Sequence, residues 1–234
     1  MRDRLKALEQ FDTPSITNVI ATYPKKTEFC LGLYHPWRGA WYTDDTLKCM
    51  FPELGPRAGV VVTVVYGMPD PEFDRLTMGD LLNAMSQIHD PIILAVKQNF
   101  PSEIKRINGL LGGNMMTAFQ SMGVVGVLSD GPSRDVDEIR PMGMQYMLTG
   151  VTAGHGPFAI QAINVPVNIC GMDVAPNDIV HVDENGAVKF PADRIDAVLE
   201  NVQRLSALEQ KRQALMRDSN DPKQIAAIMQ GLYD

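Results

Sequence analysis

Residues 110–140 read LLGGNMMTAFQSMGVVGVLSDGPSRDVDEIR, and the fold prediction for the whole chain starts from this stretch. It contains a glycine-rich loop, a helix over 114–121, a buried apolar strand over 124–128, and an Asp-Gly turn that presents Arg134 and Asp135. When a helix leads directly into a short strand of β-branched residues, the start of the helix and the turn after the strand lie at the same rim of the sheet. We therefore expect the chemistry of this protein at that rim.

The flanking segments predict a mixed α/β fold. Residues 60–66 read VVVTVVY, which is typical of a strand covered on both faces. Apolar residues at helical spacing over 76–88 predict a helix, and a strand starts at Pro91. Residues 158–170 and 179–190 alternate or run apolar between turn signals, which indicates antiparallel hairpins. The order is βα units in the middle of the chain, followed by a β-rich part.

Both ends of the chain are predicted to be helical. Residues 3–10 have helical periodicity, and Thr13-Pro14-Ser15 signals a second helix with a hydroxyl cap and an early proline. Residues 192–217 form a long amphipathic helix, acidic early and basic late, and Asn220-Asp221-Pro222 caps a last helix. Residues 24–56 carry several Gly, Pro and aromatic residues, so we predict a partly irregular surface segment there.

Composition excludes several classes of partner. The chain has 234 residues, of which 45% are hydrophobic, so it can bury the core of one domain. A net charge of -7 with scattered basic residues argues against nucleic-acid binding. The N-terminus lacks an apolar signal region, and no apolar run approaches the ~20 residues that span a bilayer. Three cysteines without CxxC spacing indicate neither a disulfide framework nor a zinc site. We expect a cytoplasmic protein that binds no membrane.

Two features of the central stretch could bind an anion. Gly112-Gly113-Asn114 precedes a helix, whose first turn offers unpaired backbone N–H groups and a favourable dipole, so a carboxylate could sit there. Arg134 follows a strand and a turn, so its guanidinium can point at the same place. The alternative is that the two glycines only form a tight turn.

Asp135 and His155 each allow a structural and a functional interpretation. Asp135 and Glu138 resemble a capping box, but Asp135 could instead give an oxygen ligand to Mg²⁺ or Mn²⁺. His155 lies in a glycine-rich loop and could act as a proton donor, although a loop histidine without a visible partner is more often structural or merely exposed. Trp37 and Trp41 could line a substrate entrance, but we favour a place in the core.

The spacing of these residues resembles that of the RraA-like family. Gly113 is followed after twenty residues by Arg134-Asp135 and two residues later by Glu138, which is similar to the family pattern G-x20-R-D-x2-E. Residues 123–135 match GxxGxVxDGxxRD with Leu128 in place of valine. The later segments NVPV and VAPNDIVHVDENGAVKFP are further matches, so the resemblance covers about residues 112–191.

The resemblance implies a metal-dependent carbon–carbon lyase. The family includes class II pyruvate aldolases that act on 4-hydroxy-4-methyl-2-oxoglutarate and 4-carboxy-4-hydroxy-2-oxoadipate, together with oxaloacetate decarboxylases. Both reactions pass through a pyruvate enolate. Some relatives instead mask a ribonuclease, which leaves a non-catalytic regulator as the alternative.

The resemblance also assigns roles to residues of this chain. The backbone amides of Gly112, Gly113, Asn114 and Met115 would hold the pyruvoyl carboxylate of a 2-oxo acid. Arg134 would contact the keto oxygen, and Asp135 would bind Mg²⁺ or Mn²⁺, with Glu138 as the second candidate ligand. Arg134 and Asp135 are therefore the predicted catalytic residues.

The fold that the resemblance implies is an α/β/β sandwich of the swivelling-domain type with terminal helices. We expect a single RraA-like domain over 1–234, with N-terminal helices over 1–23, a core over 57–191 and C-terminal helices over 192–234. The expected assembly is a homotrimer or a hexamer with the site between neighbouring chains.

Two positions depart from the family pattern. Gly113 stands where the better-known aldolases carry an Asp linked to the catalytic base, and Asn18 stands where an Asp is usual. The identity of the general base is therefore left open by the sequence.

Overall fold

The computed structural model describes residues 1–23, 28–72 and 76–233. Its α-helices are α1 (Arg2–Leu8), α2 (Thr13–Ile20), α3 (Met78–Ser86), α4 (Ser102–Lys105), α5 (Gly113–Ser121), α6 (Val136–Ile139), α7 (Ile195–Arg217) and α8 (Pro222–Met229). Its strands are β1 (Lys48–Cys49), β2 (Arg57–Gly67), β3 (Ile92–Asn99), β4 (Val124–Ser129), β5 (Gln145–Leu148), β6 (Ala159–Ile163), β7 (Val167–Ile169), β8 (Met172–Val174), β9 (Ile179–Asp183) and β10 (Gly186–Phe190). Short 3-10 turns cover Pro52–Leu54, Arg140–Met142 and Ala192–Arg194.

The main sheet is mixed and has the strand order β1-β5-β4-β3-β2-β9-β10. Strands β2 to β5 are parallel and are joined by helical crossovers, as the alternation of strand and helix signals predicts. Strand β2 pairs with β3 on one side, and on the other with β9 near its start and β6 near its end. The remaining two strands, β7 and β8, form a separate antiparallel hairpin.

The apolar side chains of β2 alternate between two cores. Val62, Val64 and Tyr66 pack with the helices α3 and α5 on one face of the sheet. Val61 points to the other face, where it packs with the β7–β8 hairpin. This alternation explains why a central strand reads as a continuous apolar run. The layers are helices, main sheet and small hairpin, so the predicted α/β/β sandwich is confirmed.

The terminal helices form a third core against β9 and β10. Helices α1, α2 and α7 bury residues such as Leu5, Ile16 and Val198 there. The cap of α2 differs from the prediction, because the Asp12 carboxylate accepts from the Ser15 amide at 2.9 Å. The Thr13 hydroxyl instead hydrogen-bonds the buried His181 ring at 2.9 Å. None of the helices in the described ranges has the length and apolar character needed to cross a bilayer.

The segment before β2 is largely irregular, as predicted, but it is not confined to the surface. Phe51 is fully buried against Tyr146 of β5, and Trp41 is 3% exposed and stacks on Tyr34. Trp37 is 85% exposed, so the expectation that it belongs to the core is wrong. Residues 24–27 of the segment lie outside the described residues.

Candidate functional site

The candidate site forms where three adjacent parallel strands end. The chain after β3 leads to Gly112 at the start of α5, the chain after β4 carries Arg134, and the chain after β5 carries His155. Ligands of open α/β sheets bind at the carboxyl ends of the strands, because loops from neighbouring strands meet there. The predicted rim is therefore the edge at which the chain's polar residues converge.

Backbone hydrogen bonds hold these three loops together. The Arg134 amide donates to the Leu111 carbonyl at 3.2 Å, and Gly109 donates to Gly154 at 2.7 Å. The Tyr146 hydroxyl donates to the carbonyls of Leu111 at 3.0 Å and Arg134 at 3.3 Å. Burial raises the pKa of this hydroxyl, so it stays a proton donor. Tyr146 thus holds together the two loops that carry the predicted residues. No sequence pattern pointed to this role.

The start of α5 presents backbone amides toward the site. Gly112 is the residue before the first turn, and as a glycine it has no side chain with which to cap the helix. The Gly113 amide donates to Asp135 Oδ2 at 3.0 Å. Within the described ranges, the Asn114 and Met115 amides have no hydrogen-bond partner, as expected for the first turn of a helix. The predicted amide cradle is therefore already shared with Asp135, and two amides of the first helical turn, those of Asn114 and Met115, remain for a ligand.

Asp135 does not act as the helix cap that its local pattern suggests. It precedes α6 with φ 57 and ψ 36, in the left-handed region, and its side chain makes no capping bond. The carboxylate instead binds the Gly113 amide of another helix. Holding a residue other than glycine in this conformation costs about 1–3 kcal/mol and is typical of functional sites. The capping interpretation is wrong for Asp135.

Arg134 lies beside this carboxylate. Its Nε is 3.6 Å from Asp135 Oδ2, and the Nε is buried without a hydrogen-bond partner among the described residues. A buried N–H group without a partner costs about 1–3 kcal/mol, so such a group in a native protein needs an explanation. A bound ligand that accepts this hydrogen bond would provide one.

The two glycines leave no room for side chains. A Cβ on Gly112 would lie 2.7 Å from Asp135 Oδ2 and 3.1 Å from Arg134 Nε. A Cβ on Gly113 would lie 2.1 Å from Glu138 Oε1. The absence of both side chains therefore lets one guanidinium and two carboxylates reach the helix start, which a tight turn alone would not require.

These groups line one cleft of about 240 Å³. Sites for drug-sized ligands have about 300–1,000 Å³, so this cleft suits a smaller molecule. Its wall contains every residue of the predicted site together with His155 and Phe158. The lining residues are Leu110, Gly112, Gly113, Asn114, Met115, Arg134, Asp135, Glu138, His155 and Phe158.

His155 and Phe158 were not among the predicted site residues. The rings of His155 and Phe158 are 5.7 Å apart, and Phe158 packs edge-on against the buried Tyr66 at 5.6 Å. The glycine-rich loop TAGHGPF makes His155 a possible proton donor, with a structural or exposed role as the favoured alternative, whereas no sequence signal points to Phe158.

The donor set of the cleft suits a hard divalent cation. No group of three or more His, Cys, Asp and Glu residues that could enclose a metal occurs in the described part of the chain. Asp135 and Glu138 do line the same cleft, and Mg²⁺ is commonly bound by one or two carboxylates, with water and substrate oxygens completing its shell. The residues present therefore fit such an ion, and they do not form a closed protein cage.

Comparisons with solved structures agree with this fold. An uncharacterized protein from Pseudomonas syringae pv. tomato aligns with a TM-score of 0.71 and 16% identity over 96% of this chain and 92% of that chain. Streptomyces coelicolor RraAS2, described as an unusual member of the RNase ES inhibitor RraA family, aligns with a TM-score of 0.67 and 19% identity over 91% of this chain and 97% of that chain.

Sequence relatives match over part of the chain. An uncharacterized protein of Methanocaldococcus jannaschii is 30% identical over 59% of this chain and 66% of its own length. A putative 4-hydroxy-4-methyl-2-oxoglutarate aldolase of Halalkalibacterium halodurans is 23% identical over 47% of this chain and 53% of its own length. This chain thus spans less than two thirds of either relative.

A family model supplies the assignment. The model of the RraA-like family, described as Aldolase/RraA, matches residues 38–189, a range that contains the whole cleft. The resemblance found in the sequence motifs is confirmed, and this chain belongs to the RraA-like (Aldolase/RraA) family.

Proposed function

We propose that this protein is a divalent-metal-dependent carbon–carbon lyase. It cleaves a 4-hydroxy-2-oxo diacid by a retro-aldol reaction, or decarboxylates oxaloacetate, through a pyruvate enolate. One observation carries the proposal. Two unpaired helix amides, a guanidinium with a buried unsatisfied N–H group, and two carboxylates converge in a single small cleft.

The chain's own residues supply the binding of the 2-oxo acid. The amides of Asn114 and Met115 receive the carboxylate at the positive end of α5. Arg134 donates to the keto oxygen, where negative charge grows as the carbon–carbon bond breaks. No lysine lines the cleft within the described part of the chain, so a Schiff base is not part of the proposal.

The charge balance of the cleft supports a cation cofactor. Arg134, Asp135 and Glu138 together carry a formal charge of about -1, which repels a carboxylate substrate. Asp135 and Glu138 would hold Mg²⁺ or Mn²⁺, and the bound ion would act as a Lewis acid toward the 2-oxo acid. The two positive charges of the ion would make the net charge of the cleft positive.

A coupled assay for pyruvate with Mg²⁺ or Mn²⁺ tests the proposal. We expect release of pyruvate from a 4-hydroxy-2-oxo diacid or from oxaloacetate, and its loss with EDTA. Arg134→Ala should lower kcat by about 10²–10³-fold, because it removes a preorganised donor to the developing charge. The control is Arg194→Ala, which removes an exposed guanidinium paired with Asp193. Activity that is indifferent to EDTA or to Arg134→Ala would contradict the proposal.

A direct binding measurement tests the ion separately. Titration of Mn²⁺ into the protein should give weaker binding for Asp135→Asn and Glu138→Gln than for Arg194→Ala, independently of any catalytic activity. Equal affinities would contradict the assignment of these two carboxylates.

The family description, Aldolase/RraA, also allows a second function. The protein would then be a non-catalytic regulator that binds a ribonuclease or another protein. Under that function, a partner would still bind Arg134→Ala and Asp135→Ala variants, and no pyruvate would be released. The convergence of ligand-binding groups in a cleft, which a protein-binding surface does not need, is why we propose the lyase.

A further inference from the structure

His155 lines the same cleft as Arg134 and Asp135. It lies on the loop after β5, and this loop is fixed by two sets of hydrogen bonds. Gly109 donates to Gly154, the residue before His155, at 2.7 Å. Ser133 donates to Gly150 at 3.2 Å, and Thr152 donates to Ser133 at 3.0 Å. The imidazole therefore reaches the same cleft as Arg134 from a constrained backbone.

The protonation pattern of the His155 ring follows from its neighbour. Its Nδ1 is 3.0 Å from the Gly156 carbonyl oxygen. A carbonyl oxygen only accepts hydrogen bonds, so Nδ1 carries the proton in the neutral ring. The lone pair is then on Nε2, and no protein partner for Nε2 occurs among the described residues. Nε2 is thus available to a ligand.

The other ionisable side chains of the cleft have other roles in the proposed function, in which Asp135 and Glu138 would hold the metal ion. Arg134 does not release its proton in proteins. Asp135 Oδ2 is held by the Gly113 amide and lies beside Arg134, and Glu138 fills the space next to Gly113. Position 113 is a glycine and therefore offers no side chain for proton transfer. Among the described residues of the cleft wall, His155 is the remaining ionisable side chain, and its ring can both accept and donate a proton.

We infer that His155 is the general acid–base residue of the lyase, an inference that rests on the function proposed above. Nε2 takes the proton of the C4 hydroxyl while the C3–C4 bond breaks. The electron pair of that bond forms the pyruvate enolate, and C4 becomes the carbonyl carbon of the departing product. The imidazolium then returns the proton to C3, which gives pyruvate and regenerates the neutral ring.

Two substitutions separate this role from a structural one. His155→Asn keeps an N–H group that can donate to the Gly156 carbonyl but has no acid–base function. His155→Ala removes the ring and leaves space for free imidazole. The matched control is His89→Ala, because His89 is exposed and does not line the cleft.

We expect both His155 variants to lower kcat for pyruvate release by about 10²–10³-fold while KM changes little, because general acid–base catalysis commonly contributes such factors. The exchange of pyruvate methyl protons with D₂O, followed by NMR, should slow in parallel, since it uses the same proton transfer at C3. Added imidazole should restore activity to His155→Ala and leave His89→Ala unchanged.

The outcomes distinguish this inference from the lyase function itself. Wild-type rates of pyruvate release and of exchange in His155→Asn would overturn the role of His155 while the lyase function stands. A wild-type protein that neither releases pyruvate nor exchanges its methyl protons would overturn both. A failure of imidazole to rescue His155→Ala, with His155→Asn active, would also reject the acid–base role.

Discussion

At the scale of single residues, the glycine at position 113 and the carboxylate of Glu138 depend on each other. A Cβ on Gly113 would lie 2.1 Å from Glu138 Oε1, and the nearest three atoms all belong to that carboxyl group. Glu138 therefore occupies the place of a residue-113 side chain. No local sequence pattern shows this contact between two elements.

We predict that Gly113→Asp displaces Glu138 and weakens Mn²⁺ binding. The contact involves the end of a flexible side chain, so the fold should survive. Displacing a proposed ligand should lower the affinity by at least about 10–100-fold, which is the cost of altering a ligand's supporting partners. Calorimetric titration of Mn²⁺ measures this. The double variant Gly113→Asp with Glu138→Ala should recover part of the affinity, because one carboxylate again fills the space. Equal affinity of the single variant and the wild type would contradict the prediction.

His181 is the buried titratable residue that links the N-terminal helices to β9. Its ring is fully buried, with the Thr13 hydroxyl at 2.9 Å from Nδ1 and the Leu8 carbonyl at 3.2 Å from Nε2. Burial lowers the pKa of His181 below its ordinary value of 6.5, and the nearby Asp183, the Leu8 carbonyl, Glu9 and Asp12 oppose this only in part. The ring is therefore neutral in the folded protein.

We predict that the free energy of unfolding falls as the pH drops below about 6.5. Below that pH the unfolded state binds a proton at His181 that the folded state does not bind. The free energy of unfolding therefore decreases by at most about 1.4 kcal/mol per pH unit. Urea unfolding at several pH values should show a smaller slope for His181→Gln, while the exposed control His89→Gln should match the wild type. A wild-type slope in His181→Gln would contradict the assignment.

At the scale of secondary-structure elements, Asp130 joins three of them beneath the site. Its side chain is 7% exposed and accepts from Lys97 of β3 at 2.6 Å and Lys105 of α4 at 2.7 Å. The Gln98 amide binds its second oxygen at 2.7 Å. The carboxylate follows β4 directly, so it fixes the turn that leads to Arg134.

We predict that Asp130→Asn lowers the free energy of unfolding by about 1.5–3 kcal/mol. The amide keeps an acceptor for Gln98 but leaves two ammonium groups without their shared counter-charge. Urea denaturation measures the loss, and Asp45→Asn, at an exposed turn residue, is the control. A change below about 0.5 kcal/mol, which is usual for surface substitutions, would show that Asp130 does not join these elements energetically.

At the scale of the whole molecule, large apolar side chains are exposed on the loops that border the cleft. Val151 is 56% exposed on the loop that carries His155, and Ile107 is 68% exposed before the glycine-rich loop. Apolar residues exposed around a site are typical of an interface. The homotrimer or hexamer that the sequence resemblance implies, with the site between neighbouring chains, would cover these side chains.

We predict that the wild-type protein has a mass in solution of at least about three times its chain mass of 25.8 kDa. Val151→Asp should shift it toward the monomer and reduce pyruvate release together, because a buried unpaired charge opposes association. Light scattering after size-exclusion chromatography measures the mass. Met229→Asp is the control, since Met229 is 67% exposed on α8, outside the loops of the site. A monomeric wild type would contradict the proposed assembly.

The sequence by itself predicted the central elements and named most of the residues that line the candidate cleft. Helix α5, strand β4 and the run of β2 are where periodicity and β-branched residues predicted them, within one to three residues at their ends. The motif spacing from Gly113 to Glu138 identified the family. Such features are local, because the spacing of apolar residues within one helix or strand determines which of its side chains are buried.

Only the tertiary structure decided which groups meet. The Asp135 carboxylate binds the Gly113 amide rather than capping α6, Glu138 fills the space of an absent side chain, and His155 reaches the cleft from the loop after β5. Trp37 is exposed, although its large aromatic side chain suggested burial. These outcomes depend on the parallel pairing of β3, β4 and β5, which brings together loops that are distant in the chain. The alternation of strand and helix signals predicts that these strands are parallel, but it does not give the distance or direction of a side chain across the cleft. A residue's partner there therefore follows from the fold and not from its neighbours in sequence.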